Sequence, residues 1–415
     1  MQSFTDLPSL DKYLERLDAA AKVSDDELRS LFNGFEWRRD PTVHGDPYSL
    51  AFRNEQMDLY CKLAGVSSYD TANERSHFDV AEAVRRPFPY LTGSSHTVGD
   101  HLIGIGFLLK TANLKPESRV LEFGPGWGNT TLALAQFGCR VTAVDIESNF
   151  VDLIRRRLTA VGLDVESVQG DFNVFCDSGR QFDAVVFFES FHHCGDHLKL
   201  LRSLEHLVAP DGVVVFGAEP ITDTFPVPWG VRLDGMSVWS IRRFRWLELG
   251  YQESYFTRTL MRFGWVLTKH VTEASSIGTV YLARRFHGKY DLADLLLPPD
   301  EDVTWAPAEK DATVGVRHTA GNSQMVLDDN LAWRRATVDV INSAPFTLRV
   351  WLDAGAGKRP TDLNAGQSAS LEVALGNAPR TLTLHSQVWS PLKLGLNSDA
   401  RSLGFAVSGV QLHER

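Results

Sequence analysis

The chain reads as an α/β protein: a doubly wound, seven-stranded sheet, preceded by a helical region and followed by an all-β sandwich. Three observations carry that expectation. Arg119–Val–Leu–Glu–Phe–Gly–Pro–Gly–Trp–Gly128 is an apolar run ending in an acid and a glycine turn, and Val141–Thr–Ala–Val–Asp145 is a second apolar run ending in an acid; with a helix-like segment between them they form the front half of a βαβ unit. Apolar runs then alternate with helix-like segments to about residue 285. From about 311 to 415 the pattern changes to period-two alternation, as in Ala336–Thr–Val–Asp–Val–Ile341, Phe346–Thr–Leu–Arg–Val–Trp–Leu352 and Thr381–Leu–Thr–Leu–His385, with Gly, Asn, Pro and Ser turns between.

Four segments follow from this pattern. Residues 1–75 are expected to be helical, because Leu7, Leu10, Tyr13, Leu14 and Leu17 recur at helical spacing and Asp25–Glu27 give Leu28, Leu31 and Phe32 an acidic first turn. This segment is either a cover over one edge of the next or a lid on an acceptor pocket. Residues 76–286 hold the α/β sheet. Within them Phe182–Asp–Ala–Val–Val–Phe–Phe188 and Gly212–Val–Val–Val–Phe216 read as its fourth and fifth strands, and Arg262–Phe–Gly–Trp–Val–Leu267 and Thr279–Val–Tyr–Leu–Ala283 as a closing antiparallel pair. Residues 287–310, with Leu297–Pro–Pro–Asp–Glu–Asp302, read as a turn-rich acidic linker, and 311–415 as the sandwich. Its aromatics Trp333, Phe346, Trp351, Trp389 and Phe405 suit a core.

At 415 residues the chain is too long for one typical core. A formal net charge of −10 and the lack of a basic tract argue against nucleic acid or an anionic membrane as partner. No apolar run approaches the ~20 residues that cross a bilayer, and no secretion signal is evident. Cys61, Cys139, Cys176 and Cys194 lack C-x-x-C spacing and read as reduced thiols, which with the other features predicts a cytoplasmic protein.

The glycine turn indicates its ligand. Gly124, Gly126 and Gly128 read G-x-G-x-G rather than the dinucleotide G-x-G-x-x-G, and no Lys follows to make a P-loop. Glu122 stands where the strand meets the loop and would repel a pyrophosphate, whereas it suits a cationic, phosphate-free ligand such as S-adenosyl-L-methionine (SAM). Asp145, 17 residues past Gly128, is placed to accept both ribose hydroxyls. From about Ser94 to Arg285 the chain thereby resembles the class I SAM-dependent methyltransferases, whose fold is Rossmann-like. The resemblance implies cofactor contacts from Glu122, Gly124, Pro125, Gly126, Trp127, Asp145 and Ile146. It also implies that Gly170–Asp171–Phe172 holds the adenine, with Asp171 on its amine, and that Tyr90, Thr92, Gly93 and Ser94 lie near the methionine end.

The catalytic candidates follow the fourth strand, in Glu189–Ser–Phe–His–His–Cys–Gly–Asp–His197. An alcohol acceptor needs a base, and His is the side chain that takes protons near neutrality. His193 is therefore expected as general base with Glu189 orienting it, and His192 is the close alternative. A metal on His193 and His197 with Cys194 and Asp196 nearby is the competing use of the same residues; no metal site is assigned from the sequence.

Acceptor contacts are expected from Glu219, Trp229, Arg232, Asp234 and Trp239, because flat aromatics flanked by polar groups suit a sugar ring. The combination of Arg85–Tyr90, Leu121–Thr131, Glu189–Cys194 and Pro228–Gly235 resembles methyltransferases of bacterial surface-glycan synthesis, and Asp399–Leu412 resembles the last strands of a β-sandwich appended to them. That resemblance implies O-methylation of a sugar hydroxyl, a saccharide or glycan acceptor, pathway glycosyltransferases as partners, and a homo-oligomer as one option. A small-molecule methyltransferase of a phenol, amine or carboxylate, and a SAM-binding adaptor in a glycan-synthesis complex, are the competing readings.

Overall fold

A computed structural model describes residues 1–39, 45–74, 76, 78–88, 92–290, 305–306, 316–356 and 358–414. The chain divides into two compact units, Met1–Gln252 with Lys269–Leu282, and Glu253–Thr268 with Ala283–Arg415.

The central sheet has seven strands: β1 (Arg119–Phe123), β2 (Arg140–Asp145), β3 (Glu166–Gln169), β4 (Phe182–Phe188), β5 (Val208–Gly217), β6 (Trp265–Val271) and β7 (Thr279–Arg285), in the order β3-β2-β1-β4-β5-β7-β6. The pairs β2–β3, β1–β2, β1–β4 and β4–β5 are parallel. The strand order reverses between β1 and β4. In such sheets the connections leave in opposite directions at this point, and a crevice opens beyond the carboxyl ends of the strands. Buried on both faces, β1, β2 and β4 are near-continuous runs of Val, Ala, Leu and Phe, whereas the edge strand β6 alternates.

Ten helices accompany the strands among the described residues: α1 (Leu7–Ala21), α2 (Asp25–Phe32), α3 (Leu50–Ala64), α4 (Val80–Arg85), α5 (Ser95–Ala112), α6 (Asn129–Phe137), α7 (Ser148–Ala160), α8 (His197–Leu207), α9 (Gly235–Phe244) and α10 (Glu253–Arg262). Ile105 and Leu108 of α5, Leu134 of α6, and Ile154 and Leu158 of α7 share one buried cluster with Val120, Val141, Ala143, Ala184, Val186 and Val215 of the sheet.

The first 75 residues are not purely helical. Gln2–Phe4 pairs in parallel with Phe35–Trp37, burying Phe4, Phe35 and Trp37, a pattern too short for periodicity to detect. The helices themselves follow the sequence: α1 buries Leu10, Leu14 and Leu17, with Asp6 accepting from Ser9 N at its start. This region is tied to α9 by ion pairs, Arg242 to Asp11 and Arg243 to Asp18, each 2.6 Å.

In the second unit, strands Leu348–Asp353 and Thr381–Ser386 lie in a four-stranded sheet, and Arg335–Ile341, Ser368–Ala374 and Ala406–His413 in a five-stranded one; the pairs resolved among them are antiparallel. Their inward residues, among them Val338, Val340, Val350, Leu384 and Phe405, share one core. Of the aromatics expected there, Phe405 is fully buried, whereas Trp351 is half-buried against His385 and Phe346 is exposed.

Candidate active site

A cavity of about 770 Å³ opens beyond the carboxyl ends of β1, β2 and β4. That volume falls in the range of small-molecule sites. One wall is the glycine turn. Gly124 has φ +61°, and a Cβ there would stand 2.6 Å from Ser190 Cβ, so neither its conformation nor its space admits a side chain. Gly126 has φ +49° and nothing within 4 Å of its Cβ position, so its backbone faces open space. Trp127 flanks the turn and packs against Phe78 at 4.9 Å and Phe150 at 5.5 Å between centroids. Its carbonyl accepts from the Arg157 guanidinium.

The two acids of the turn are buried in this wall. Glu122 accepts from Thr131 Oγ1 at 2.6 Å, and Asp145 accepts from Gly126 N at 3.2 Å and Glu147 N at 2.9 Å. Burial pushes both carboxyls up to about 7. Ile146, Asp171 and Phe172 line the same side, with Phe172 packed on Phe123 at 5.5 Å. Nine acidic side chains and two arginines line the cavity among the described residues; a cation draws those acids into their ionised forms, whereas a phosphate ester does not. The residues present therefore fit SAM, through a backbone free to approach it, buried acids for its positive and hydroxyl groups, and an aromatic face for its base.

The loop upstream of α5 differs from expectation. Tyr90 lies outside the described residues. Gly93 is exposed, and Ser94 accepts from Thr97 N as the helix cap. Thr92 Oγ1 accepts from Ser94 N. None of these three lines the cavity; His96, Thr97, Asp100 and His101, on the first turns of α5, do so instead. A Ser/Thr cluster before a helix is a capping signal as readily as a ligand signal, and here capping holds it.

In the same cavity, the His pair is held by the chain's own hydrogen bonds. Glu219, two residues past the end of β5, accepts from the backbone N–H groups of Ser190 (2.9 Å), Phe191 (2.8 Å) and His192 (3.1 Å), and its Oε2 stands 2.8 Å from His192 Nδ1. It organises the turn rather than waiting free for an acceptor. Burial alone would pull His192 down, but Glu219 and Glu248 outweigh it and hold the ring above the ordinary histidine value. His193 Nδ1 lies 2.7 Å from the Leu247 carbonyl, which fixes the proton on Nδ1 and leaves Nε2 as the accepting nitrogen. Burial and the neighbouring His192 push His193 well below the usual value, so it is neutral at pH 7.

Glu189 does not orient His193. Its carboxylate stands 3.4 Å from His101 Nδ1, and its backbone adopts φ +51°, a left-handed conformation rare outside glycine and concentrated at functional sites. Direction of travel at the end of β4 sends it to α5, a partner that linear spacing cannot reveal. The alternative metal grouping also disperses: His197 packs on Trp229 at 4.6 Å, Asp196 caps α8, and burial raises the Cys194 thiol. A different trio converges. His192, His193 and Glu248 offer ligand atoms all within 4.8 Å of one another.

Two of the expected acceptor aromatics belong to the core. Trp229 is 1% exposed, donates Nε1 to the Pro47 carbonyl at 2.8 Å and packs on Phe52. Trp239 packs against Phe32 and Phe244. Asp234 caps α9 through Ser237 N and pairs with Arg232. The N-terminal helices cover this insertion, so its apolar residues face them. Arg232 remains in the cavity wall, 3.4 Å from Glu248. Trp246, an insertion aromatic open to either use, lines it; Glu248, Tyr69, Glu74, Arg29 and Met236 line it too, and of these only Glu248 lay in the Trp-, Arg- and Glu-rich stretch 241–251.

A family described as "Methyltransferase domain" matches residues 120–212. Over 153 residues the chain is 27% identical to a glycine/sarcosine/dimethylglycine N-methyltransferase of Actinopolyspora halophila, covering 35% of this chain and 27% of that one. Over 117 residues it is 27% identical to a ubiquinone biosynthesis O-methyltransferase of Actinobacillus pleuropneumoniae serotype 7, covering 27% of this chain and 50% of the relative. The chain thus spans between about a quarter and half the length of these relatives. Among solved structures, it is similar to a Burkholderia thailandensis 1,6-didemethyltoxoflavin-N1-methyltransferase with bound S-adenosylhomocysteine, at 19% identity and a TM-score of 0.35, covering 51% of this chain and 93% of that one. The stretch matched by the methyltransferase-domain family holds the glycine turn, both buried acids and the histidine pair. No described helix is long and apolar enough to cross a membrane.

Proposed function

We propose that the whole chain acts as a SAM-dependent O-methyltransferase whose acceptor is a sugar hydroxyl of a glycan or its precursor. When bound, SAM supplies a methyl group on a positively charged sulfur, which leaves without protein assistance. The protein's work is to place the acceptor in line and to withdraw its proton. The observation that carries the reading is the imidazole pair in the same cavity as the glycine turn. An alcohol needs a proton acceptor, which a carboxylate does not, and His193 Nε2 stands ready for that role, directly or through the arrangement argued below. Around it, Arg232 and Glu248 offer hydrogen bonds to ring hydroxyls, and Trp246 and Tyr69 offer faces for ring C–H groups.

Labelled SAM incubated with the full-length chain and a panel of saccharides, phenols, amines and carboxylates tests the reading. Label in a saccharide ether supports it. Label only in a phenol, amine or carboxylate overturns it in favour of small-molecule methylation, the reading that the curated relatives' own names favour. Intact SAM with every acceptor, together with a stable pull-down partner, supports the adaptor reading.

A further inference from the structure

We propose that His192, His193 and Glu248 form a binding site for one divalent cation of the zinc, cobalt or manganese class, in the cavity that also holds the glycine turn. Its purpose rests on the methyltransferase reading above, whereas its existence rests on geometry. His192 Nε2 stands 3.7 Å from Glu248 Oε2, and the third ligand atom lies within 4.8 Å of both. Two ligands ~2.0–2.2 Å from a tetrahedral ion stand roughly 3.3–3.6 Å apart, so a small closure completes the set.

The outer shell is already built. Glu219 takes His192 Nδ1, and the Leu247 carbonyl takes His193 Nδ1. Metal-bound imidazoles carry such partners, because an acceptor at Nδ1 fixes the tautomer and turns the Nε2 lone pair outward. Glu219 is itself held by three backbone N–H groups, so the His192 ring is locked before any ion arrives. Three protein ligands leave a fourth position open, as catalytic sites do, and all three line the cavity. Among the described residues, Arg232 brings an opposing charge 3.4 Å from the same Glu248 oxygen; Glu219 balances it from the other side of His192.

A hydroxyl beside such a cation is more acidic. With His193 Nε2 on the cation, the hydroxyl proton passes instead to the Glu189 carboxylate, which lines the same cavity. The freed oxygen pair bonds the methyl carbon, and the carbon–sulfur pair stays on sulfur.

The test uses tag-free full-length protein stripped with a chelator and titrated by calorimetry with Co²⁺ and, separately, Zn²⁺, with the visible spectrum of the Co²⁺ form recorded. One equivalent is expected, with d–d bands of nitrogen–oxygen coordination. His193→Ala and the isosteric Glu248→Gln should each weaken Co²⁺ at least tenfold, with circular dichroism unchanged and SAM affinity within about twofold, a margin set to exclude a lost cofactor contact. No saturable Co²⁺ or Zn²⁺ binding in a sample that binds SAM overturns the cation site and leaves the methyltransferase reading standing. Binding that both substitutions leave intact overturns the ligand assignment. Stoichiometric Co²⁺ with no SAM binding supports the site and sinks the cofactor reading instead.

Discussion

Alanine at Gly124 and at Gly126 should do different things, although the two glycines are two residues apart in one turn. Both have positive φ, +61° and +49°, so each substitution costs roughly 1–2 kcal/mol for the left-handed backbone. At Gly126 that is the whole structural cost, because the new Cβ meets nothing within 4 Å. At Gly124 the Cβ would stand 2.6 Å from Ser190 Cβ. Ser190 cannot yield easily, since its Oγ donates to the Phe123 carbonyl at 2.7 Å and its N–H to Glu219 at 2.9 Å. Overpacking of this kind adds roughly 1–3 kcal/mol, for a total of roughly 2–5. For a unit of this size each kcal/mol lowers Tm by roughly 2–4 °C, so Gly124→Ala should melt roughly 4–20 °C early and Gly126→Ala roughly 2–8 °C early.

The order should invert for the ligand. The methyl group of Gly126→Ala projects into the cavity where the cofactor's backbone approach is needed. The same overpacking range there corresponds to roughly a 5- to 150-fold weaker SAM Kd. Differential scanning fluorimetry and calorimetry on both variants decide the matter. A Gly126→Ala variant that binds SAM as tightly as the parent refutes the placement of the cofactor over this turn, and one that melts as early as Gly124→Ala refutes the steric contrast between the two glycines.

Three further outcomes follow from the same geometry. His193→Ala should lower the rate of methyl transfer to an alcohol by roughly 10²- to 10⁴-fold while leaving SAM binding in place; a small loss in single-turnover assays points to a phenol acceptor. Burial holds Asp145 and Glu122 at about 7 in the folded chain, above the ordinary carboxyl values of 3.8 and 4.5. Their contribution to stability therefore declines as pH rises from about 4 to 7, and a bound cation favours their ionised forms. SAM affinity should increase with pH through about 7 with proton release, measured by calorimetry in two buffers of different ionisation heat, and Asp145→Asn should flatten that slope. Trp229→Ala should cost roughly 3–5 kcal/mol of stability as a core deletion in urea melts, and a change in acceptor KM for Trp229→Phe at unchanged stability would contradict its burial.

Much of the site's cofactor half was legible because it is local. Glu122, Gly124, Gly126 and Asp145 lie at the ends of consecutive strands, where a parallel sheet sends both into one crevice. The acceptor half was not, because its members come from α2, α5, β4 and the 219–248 insertion. Trp229 and Trp239 carried the same composition signal as Trp246, yet only Trp246 lines the cavity. No pattern within the insertion tells which aromatic the N-terminal helices cover. Likewise the motif located both histidines but misassigned Glu189, whose left-handed backbone turns it toward His101.

The sequence by itself determined the α/β sheet, the β-rich second part and the cationic character of the cofactor, since these rest on periodicity, turn residues and the sign of nearby charge. Tertiary structure alone decided the partners of the two histidines. Glu219, Leu247 and Glu248 reach them across 27, 54 and 56 residues of chain. A contact of that span is fixed by how packed elements meet, which local propensity does not encode.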